Sequence, residues 1–419
     1  MGNLILKKEF FGGIIYDDNT KENIAIDKET YNLIQMLSDI QYEKNVEELQ
    51  ELDKNDIFEM LRELVKLGVV KIDIKNANNK ASENYLSAPF RIFYDITYKC
   101  NLRCKHCFTE SGVQKKLELT LKEKFNLINQ IKELGIQKIS IAGGEPFCSE
   151  DIYFFIEECN RNNISVSITT NGTIFNEKVI LKLNELKISN LTISFDGGNE
   201  KSFDFVRGSG TFYKVTNNLE LLKKYYKGKY SLKTTLMKNN INQIEDIIRI
   251  GIKYKCDTVK FNTVREDGRA ITNKINILIS QDEYIKTIQN IERLRSKYSG
   301  LIKIRAPLNI YCDEDYEYIE ELGFGCFAGK ESICVDPLGN VRPCSHYPDE
   351  FICGNVKENT LTDIWNNSHI LKNFREFEGN ETCNNCDSYD HCRGGCRYRC
   401  YLNGDINGVD TFCFLHKNC

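Results

Sequence analysis

Cysteines are the residues of this chain best suited to chemistry, and there are 18 of them among 419 residues. Ten of them form two spaced arrays, Cys100, Cys104 and Cys107 in the first and Cys326, Cys344, Cys383, Cys386, Cys392, Cys396 and Cys413 in the second. The first array has the spacing C-x3-C-x2-C, which supplies three thiolates within one short loop. A [4Fe–4S] cluster needs four ligands, so this loop predicts a cluster with one open iron. An open iron can bind a substrate or a cofactor.

Three further motifs follow the first array in order. They are Gly143-Gly144-Glu145 after the apolar run KISIA, Asn171-Gly172 at the end of ITTNG, and Ser194-Phe195-Asp196 after LTI. With the cysteine triad, they resemble the radical SAM superfamily, in which the open iron holds S-adenosylmethionine and an electron breaks its sulfonium bond. The resemblance implies that the Gly-Gly-Glu segment receives the methionine amine, and that Ser194 and Asp196 face the ribose or the carboxylate. The residues expected at the cofactor are Gly143, Gly144, Glu145, Asn171, Ser194, Asp196 and Arg207.

The second array reads C-x12-G-x4-C, a gap, C-x2-C-x5-C-x3-C, a gap of 16 residues and a last cysteine. This pattern resembles the SPASM extension of radical SAM enzymes that modify peptides, which carries two auxiliary clusters. The resemblance assigns Cys383, Cys386, Cys392 and Cys413, here called the outer cysteines, to one cluster. It assigns Cys326, Cys344 and Cys396, the inner cysteines, to the other. The inner cluster is then one ligand short, and Cys334, Cys312 or an open iron are the alternatives.

The cysteines have two other possible uses, disulfide bonds and zinc binding. Disulfides are favoured in short secreted chains, whereas this chain is long and shows no secretion signal. The segment from Cys383 to Cys396, taken alone, suits a tetrahedral zinc site. The presence of the cysteine triad in the same chain favours iron–sulfur clusters instead. The cysteines outside the arrays are expected to pack as small buried hydrophobes. They are Cys148, Cys159, Cys256, Cys312, Cys334, Cys353, Cys400 and Cys419.

Composition narrows the class of protein. A hydrophobic fraction of 41% over 419 residues is enough for two or three domains with cores of their own. The net charge is −4 and the basic residues are dispersed, so the sequence shows no basic cluster of the kind that binds nucleic acid. No apolar run is long enough to span a bilayer, so we expect no membrane partner and a reduced cytoplasmic location.

The middle of the chain alternates β-rich runs with amphipathic helical stretches. The strand candidates are FRIFYDIT, KISIAGG, ISVSITT, LTISF, SLKTTLM and TVKFNTV. Six β/α units predict an α/β fold with a partial (β/α)6 TIM-like barrel over residues 86–305. The triad and the three motifs directly follow strands one to four, so all four fall at the C-terminal mouth of such a barrel. Arg207 and Arg269, after strands four and six, are expected near the same mouth, and His106 is expected to pack against the adenine.

Residues 1–85 have a different plan. The segment LILKKEFFGGIIYDDNTKENIAI predicts two or three short strands, DKETYNLIQML and NDIFEMLRELVKLG predict helices, and GVVKIDI predicts a wing strand. This winged-helix-like unit resembles the recognition element of enzymes that modify ribosomally made peptides, which captures a leader peptide as an added strand. Residues 306–419 are assigned to a bridging region and the SPASM domain.

Together these parts predict a peptide maturase that uses a 5′-deoxyadenosyl radical. The expected cofactors are three [4Fe–4S] clusters and S-adenosylmethionine, and the expected partners are a precursor peptide and a reductant such as ferredoxin or flavodoxin. Thioether formation is the favoured reaction, with carbon–carbon or carbon–oxygen crosslinking and epimerisation as alternatives. Sulfatase maturation is disfavoured, because that family has an aspartate directly after the cysteine of G-x4-C and Cys344 is followed by Ser345. A non-enzymatic alternative is an iron–sulfur electron-transfer protein.

Overall fold

The computed structural model describes residues 2–17, 23–40, 70–75, 85–113, 117–273, 276–306 and 325–413. The strands in these ranges form two sheets, one of four strands and one of ten. Strands and helices alternate along most of the chain, which confirms the predicted α/β class. Among the described helices, none is long and apolar enough to cross a membrane.

The ten-stranded sheet contains the predicted barrel. Its strands are β5 (Arg91–Asp95), β6 (Lys138–Ala142), β7 (Ser165–Thr170), β8 (Ile188–Ser194), β9 (Tyr230–Leu236), β10 (Thr258–Thr263), β11 (Lys303–Arg305), β12 (Ser332–Val335), β13 (Asn340–Arg342) and β14 (Gly354–Asn355). The order is β11-β10-β9-β8-β7-β6-β5-β12-β13-β14, and all pairs from β11 to β12 are parallel. The six strands predicted from the sequence are β5 to β10, so the partial barrel is confirmed.

The sheet is wider than the six predicted strands. β11 adds a parallel strand beside β10, and β12 adds one beside β5, where Cys334 lies opposite Phe93. β13 and β14 then continue the sheet in the antiparallel sense. β12 comes from the region assigned to the SPASM domain, so one sheet runs across the predicted boundary near residue 305. The domain division itself stays a prediction.

Most of the described helices lie between strands along the chain, and the last five follow β14. The described helices are α1 (Lys28–Ile40), α2 (Leu121–Glu133), α3 (Ile152–Arg161), α4 (Glu177–Glu185), α5 (Glu200–Arg207), α6 (Thr211–Tyr225), α7 (Ile244–Lys253), α8 (Arg269–Thr272), α9 (Gln281–Lys297), α10 (Leu361–Asn367), α11 (His369–Arg375), α12 (Glu381–Asn384), α13 (Tyr389–Cys392) and α14 (Arg397–Leu402). α2 begins in a capping box of Thr120 and Glu123, and α9 in one of Ser280 and Glu283. These caps satisfy backbone N–H groups that the first helical turn leaves without partners.

The barrel strands bury one face and leave the other polar. Ile92, Tyr94, Ile139 and Ile141 alternate along β5 and β6 and are almost fully buried in the main core. Side chains between such positions point to the opposite face of a strand. There the hydroxyl oxygens of Ser140 and Ser167 lie 2.9 Å apart across β6 and β7. The core therefore packs on the helix side, and the inner face is available for polar chemistry.

The four-stranded sheet lies in the N-terminal region. Its strands are β1 (Gly2–Glu9), β2 (Gly12–Asp17), β3 (Asn23–Asp27) and β4 (Val70–Lys75), in the order β3-β2-β1-β4. β1 pairs with β2 in antiparallel and with β4 in parallel orientation. Asp27 caps the start of α1, since its Oδ1 accepts the backbone N–H of Thr30 at 2.7 Å. The helix predicted for NDIFEMLRELVKLG lies outside the described residues.

Buried polar contacts join the N-terminal and C-terminal regions to the barrel. Glu9, 2% exposed, accepts the backbone N–H of Ser87 at 2.8 Å and its hydroxyl at 2.9 Å. The indole of Trp365, fully buried in the main core, donates to the carbonyl of Leu86 at 3.0 Å. The short segment before β5 therefore contacts both regions.

Candidate functional site

The cysteine triad lies in a loop directly after β5, at the C-terminal edge of the barrel sheet. This triad loop, residues 98–112, closes on itself where Cys100 donates a backbone hydrogen bond to Gly112 O at 3.0 Å and Gly112 donates one to Tyr98 O at 2.8 Å. Cys100, Cys104 and Cys107 are half-buried and lie within electrostatic range of one another. Burial raises the pKa of the Cys100 thiol to about 11. The predicted placement of three thiols at one mouth is thus present in the structure.

The Gly-Gly-Glu segment runs alongside the start of the triad loop. Gly144 donates its backbone N–H to Thr97 O at 2.8 Å, and Glu145 donates its own to Lys99 O at 2.9 Å. A Cβ on Gly143 would lie 2.6 Å from Thr97 O, and one on Gly144 would lie 2.4 Å from Lys99 O. Both distances are too short for a side chain, so these glycines allow the two segments to pack backbone to backbone.

The Glu145 carboxylate joins two loops of the mouth. It is fully buried, and its oxygens accept hydrogen bonds from the hydroxyl of Thr170 at 2.6 Å and the backbone N–H of Asn171 at 2.7 Å. The N–H of Phe147 lies at 3.3 Å from the same carboxylate. Burial raises the pKa of Glu145 to about 7. In the structure this side chain therefore positions the loop after β7, and contact with the methionine amine remains a prediction for the segment.

Asn171 connects that loop to the triad. Its Nδ2 donates to Asn101 Oδ1 at 2.8 Å and lies 4.0 Å from Cys100 Sγ. Its Oδ1 accepts from the N–H of Thr173 at 2.9 Å and from the Thr173 hydroxyl at 2.6 Å. The amide is thereby oriented with its N–H group toward the sulfur.

Asp196 and Arg207, both predicted at the cofactor, form a buried ion pair with each other. Asp196 Oδ2 lies 2.8 Å from Nε and 2.6 Å from Nη2 of Arg207, and Oδ1 accepts the N–H of Thr235 at 2.7 Å. Burial alone would raise the pKa of Asp196, but the charges of Arg207 and His106 hold it well below its usual range. Arg207 Nη1 lies 3.9 Å from Cys104 Sγ. The pair thus brings a guanidinium to the triad.

His106 is also held by this pair. Its Nε2 lies 3.3 Å from Asp196 Oδ2, whereas its buried Nδ1 has no hydrogen-bond partner within the described ranges. Ser194 ends β8, opposite Lys233 of β9, at the same mouth. Three thiols, two side-chain N–H groups beside their sulfurs and a free ring nitrogen fit a cluster carrying a polar cofactor. Contact of Ser194 and His106 with that cofactor stays a prediction.

The loop after β10 clamps the triad loop from the other side. The backbone N–H of Arg269 donates to Cys107 O at 3.0 Å, and its guanidinium donates to Cys104 O at 2.8 Å and Ser111 O at 2.9 Å. Gly268 has φ of 50°, and a Cβ there would lie 2.5 Å from the carbonyl oxygens of Cys107 and Phe108. Arg269, which was expected near the mouth, therefore binds the backbone of the triad loop by hydrogen bonds.

The inner cysteines form a second group. Cys326, Cys344 and Cys396 lie within electrostatic range of one another and pack in one apolar cluster with Tyr347 and Tyr398. Burial raises the pKa of Cys344 to about 11. For Cys396 burial acts in the same direction, but nearby arginines outweigh it and the pKa falls below the ordinary thiol value.

Buried donors without acceptors surround the inner cysteines. Within the described part of the chain, Nε of Arg265, Oη of Tyr347 and Nε of Arg397 have no hydrogen-bond partner. Burial raises the pKa of the Tyr347 hydroxyl well above its usual range, and the charges of all three inner cysteines act in the same direction. An iron–sulfur cluster brings sulfur atoms that accept such hydrogen bonds. The inner cysteines and their surroundings therefore fit this group.

The alternatives for a fourth inner ligand lie in different places. Cys334 is buried on β12, close enough to Cys344 to feel its charge, and its sulfur interacts with Ser345. Burial raises its pKa well above the ordinary value. Cys312 lies outside the described residues. The choice between these cysteines and an open iron therefore stays a prediction.

Of the outer cysteines, Cys383 lies on α12 and Cys392 on α13, whereas Cys386 lies between these helices and Cys413 follows α14. Cys386 donates its backbone N–H to Cys383 O at 3.0 Å, and Cys392 ends α13 within electrostatic range of Cys413. Among the side chains that the structure describes, no three His, Cys, Asp or Glu residues are close enough together to hold a single metal ion. A [4Fe–4S] cluster instead distributes its ligands over separate irons. The ligand set of the outer cysteines stays a prediction.

Two residues of the site were not singled out from the sequence. Arg265 Nη2 lies 3.8 Å from Cys396 Sγ, and Arg265 Nη1 lies 3.0 Å from Nε2 of His346. The only signal was indirect, because Arg265 lies in the loop noted for Arg269 and His346 follows Cys344 by two positions. No local pattern pairs residues this far apart in the chain.

Comparison with protein families agrees with this arrangement. A model of the radical SAM superfamily matches residues 94–250, and a model of SPASM, an iron–sulfur cluster-binding domain, matches residues 326–387. Mycofactocin maturase MftC of Mycolicibacterium smegmatis is 25% identical over 342 residues, which cover 79% of this chain and 84% of that protein. MftC of Mycobacterium ulcerans is also 25% identical and covers 79% of this chain and 89% of its own.

Solved structures share the fold. SuiB of Streptococcus suis bound to S-adenosylmethionine has a TM-score of 0.74 at 19% identity, covering 98% of each chain. SuiB bound to its precursor peptide SuiA has a TM-score of 0.72 at 18% identity, covering 98% of this chain and 99% of that one. The structure of anSMEcpe with bound AdoMet has a TM-score of 0.65 at 21% identity, covering 78% and 95%. The chain therefore contains a radical SAM domain matched over residues 94–250 and a SPASM iron–sulfur cluster-binding domain matched over residues 326–387, and it shares the fold of these solved structures.

Proposed function

We propose that this protein modifies a ribosomally made precursor peptide by radical SAM chemistry. One observation carries the proposal: a cysteine triad with polar neighbours and a second, buried cysteine group meet at one loop, residues 265–269, of a single chain. Similarity to mycofactocin maturases along 79% of the chain supports a peptide substrate, as does the likeness in fold to SuiB, which was solved with a precursor peptide.

The cofactors we assign are three [4Fe–4S] clusters and S-adenosylmethionine. The triad would hold the first cluster, the inner cysteines the second and the outer cysteines the third. Bound together, the first cluster and S-adenosylmethionine supply a 5′-deoxyadenosyl radical that removes hydrogen from carbon. The protein's part is to orient the cysteines: Asn171 and Arg207 direct N–H groups at their sulfurs, while Glu145 and Arg269 fix the loops.

Among the possible modifications we favour a thioether between a cysteine sulfur and a carbon of the same peptide. The inner cysteines include three assigned ligands for a cluster that needs four, and an iron with a free position can hold a substrate thiolate. Carbon–carbon or carbon–oxygen crosslinking and epimerisation are the alternatives. Formylglycine formation is disfavoured, because the residues after Cys344 are Ser345 and His346 and not aspartate.

The test is anaerobic turnover with a reductant such as flavodoxin or ferredoxin and S-adenosylmethionine. We expect the protein to release 5′-deoxyadenosine, and replacing Cys100, Cys104 and Cys107 by Ala to abolish that release. Cys148→Ala, a thiol outside the arrays with a backbone hydrogen bond to Glu145 O, is the matched control and should remain active. Continued release by the triple variant would overturn the cofactor assignment, and absence of release from the wild type would favour an electron-transfer protein.

Mass spectrometry of the modified precursor separates the reactions. A thioether removes two hydrogen atoms and one free thiol, whereas a carbon–carbon or carbon–oxygen link removes two hydrogens and leaves every thiol available for alkylation. Epimerisation leaves the mass unchanged. Retention of all thiols in a crosslinked product would contradict the thioether proposal while leaving peptide modification standing.

A further inference from the structure

The loop of residues 265–269 contacts both cysteine groups, through different side chains. Gly268 and Arg269 pack on the triad loop, as described above. Arg265, at the start of the same loop, lies 3.8 Å from Cys396 Sγ through Nη2, and Asp267 lies 2.5 Å from Nδ1 of His346. The loop thus ends at the triad on one side and at the inner cysteines on the other.

The hydrogen-bond directions along this contact are fixed by chemistry. A guanidinium can only donate, so His346 Nε2 accepts from Arg265 Nη1 at 3.0 Å. The other ring nitrogen, Nδ1, therefore carries the hydrogen and donates it to Asp267. These contacts form a hydrogen-bonded series from Asp267 through His346 to Arg265 and Cys396. They hold the guanidinium with Nη1 on the imidazole and Nη2 beside the sulfur.

Ring packing restrains the imidazole further. His346 lies against Phe108, with ring centroids 4.5 Å apart and planes at 37°, and against Tyr398, at 5.2 Å and 30°. Phe108 directly follows Cys107 of the triad, and Tyr398 follows Cys396 by two residues. The ring is held on both sides by residues adjacent in sequence to predicted cluster ligands.

A second arginine near Cys396 differs from Arg265 in its partners. Arg399 is bound to Asp410 by two contacts of 2.6 Å, so its charge is matched by a carboxylate. For Arg265, no carboxylate of the described residues lies within ion-pair distance, and its Nε has no acceptor among them. Its charge therefore acts mainly on the sulfur atoms beside it.

We infer that Arg265, oriented by His346 and Asp267, donates a hydrogen bond to Cys396 and raises the reduction potential of the inner cluster. The inference rests on the proposed function, because that proposal assigns a cluster to the inner cysteines. Reduction adds negative charge to a cluster, and hydrogen bonds and positive charge at its sulfurs stabilise the reduced form. Arg265 is thus a tuning residue, and His346 is a positioning residue that acts through it.

The test is a potentiometric titration of the iron-loaded full-length protein under anaerobic conditions, monitored by electron paramagnetic resonance. Arg265→Met removes the charge and the donors, so we expect the potential of the inner cluster to fall while that of the triad cluster stays unchanged. Arg265→Lys keeps the charge and should give a smaller fall. His346→Phe keeps the packing against Phe108 and Tyr398 but removes the acceptor that orients Arg265. The potential of the inner cluster should therefore also fall in this variant.

Arg249→Met is the matched control, since it removes the same charge from an exposed helix position and should leave both potentials unchanged. Iron content separates the possible failures. A wild type with no signal or iron attributable to the inner cysteines contradicts the proposed function. An inner cluster that is present in the variants at the wild-type potential overturns the inference, as does its loss from all three variants, which would make these residues assembly factors.

Discussion

At the scale of single residues, the buried carboxylates at the barrel mouth are held by partners from loops distant in sequence. Glu145 was predicted at the methionine amine, and that contact stays a prediction; in the structure its carboxylate accepts hydrogen bonds from Thr170 and the backbone of Asn171. Asp196 and Arg207 were both predicted at the cofactor, which stays a prediction, and in the structure they form an ion pair with each other. The spacing of the motifs locates the loops, whereas the partner of a buried side chain depends on loops distant in sequence.

The hydrogen bonds of Glu145 predict the effect of Glu145→Gln. The amide has only one acceptor oxygen, so in either orientation its NH2 group faces the backbone N–H of Asn171 or of Phe147. A buried donor left unsatisfied costs about 1–3 kcal/mol. We expect the iron-loaded variant to have a lower Tm by anaerobic calorimetry than the wild type.

Glu150→Gln, an exposed glutamate in the same segment, is the control and should leave the Tm unchanged. A Glu145→Gln protein as stable as the wild type would show that the carboxylate does not hold the two loops together. The substitution also reports on cofactor binding, because the loop after β7 carries Asn171 toward Cys100. We expect weaker binding of S-adenosylmethionine to the variant.

Glu331 predicts a pH dependence of stability. It is 6% exposed, and burial raises its pKa from 4.5 to about 8. Between these two values the folded protein keeps a proton that the unfolded chain loses. This group's contribution to the free energy of unfolding is therefore present below pH 4.5 and declines by about 1.4 kcal/mol per pH unit as the pH rises toward 8.

Glu331→Gln removes this titration. We expect the Tm of the wild type, measured against that of the variant, to fall steadily across this pH window and to level off above it. Glu376→Gln, an exposed glutamate beside Lys372, is the control and should show a constant difference. A constant difference for Glu331→Gln as well would mean that the buried carboxyl does not carry the proton.

At the scale of elements, the strands and helices of the barrel were predictable because their signals are local. Each predicted strand from β5 to β10 is a short β-rich run, and the helices α2 and α7 follow an amphipathic pattern. β12 was not predicted as part of this sheet. It pairs with β5 from about 240 positions further along the chain, and no sequence period reports a pairing at that distance.

The N-terminal sheet predicts where a leader peptide binds. In the described sheet β3 is an outer strand, and Ile24 on it is 60% exposed. An extended peptide can add to such an edge through backbone hydrogen bonds, with side-chain contacts providing selectivity. We propose this edge as the leader site, with a Kd on the order of micromolar, or about −8 kcal/mol.

Ile24→Asp tests this site in the full-length protein. Burying a charge against the apolar side of a leader is unfavourable, so we expect at least about tenfold weaker binding, or about 1.4 kcal/mol, by calorimetric titration with the leader. Leu301→Asp, at a position 66% exposed, is the matched control and should bind as the wild type does. Equal affinities for both variants would place the leader elsewhere. Peptide-independent release of 5′-deoxyadenosine should not change in either.

At the scale of the whole molecule, the two cysteine groups are held by one continuous framework. The sheet extends from the barrel into the SPASM region through β12, and the loop of residues 265–269 contacts the triad loop and the inner cysteines. We therefore expect each cysteine group to take up and lose its iron whether or not the other group is loaded, because the sheet keeps both groups in place.

The last prediction concerns metal content. Three [4Fe–4S] clusters give roughly twelve irons and twelve sulfides per chain after anaerobic reconstitution, with a broad visible absorption that air abolishes. Replacing Cys326, Cys344 and Cys396 by Ala should remove about four irons and leave the triad cluster, because the hydrogen bonds that hold the triad loop come from Glu145 and Arg269 and not from an inner cysteine. Replacing the three triad cysteines by Ala should remove a different set of about four irons and leave the visible absorption of the other two clusters. Stoichiometric zinc with almost no iron in the reconstituted protein would contradict the cluster assignment as a whole, and loss of all iron from either variant would show that the sites assemble as one unit.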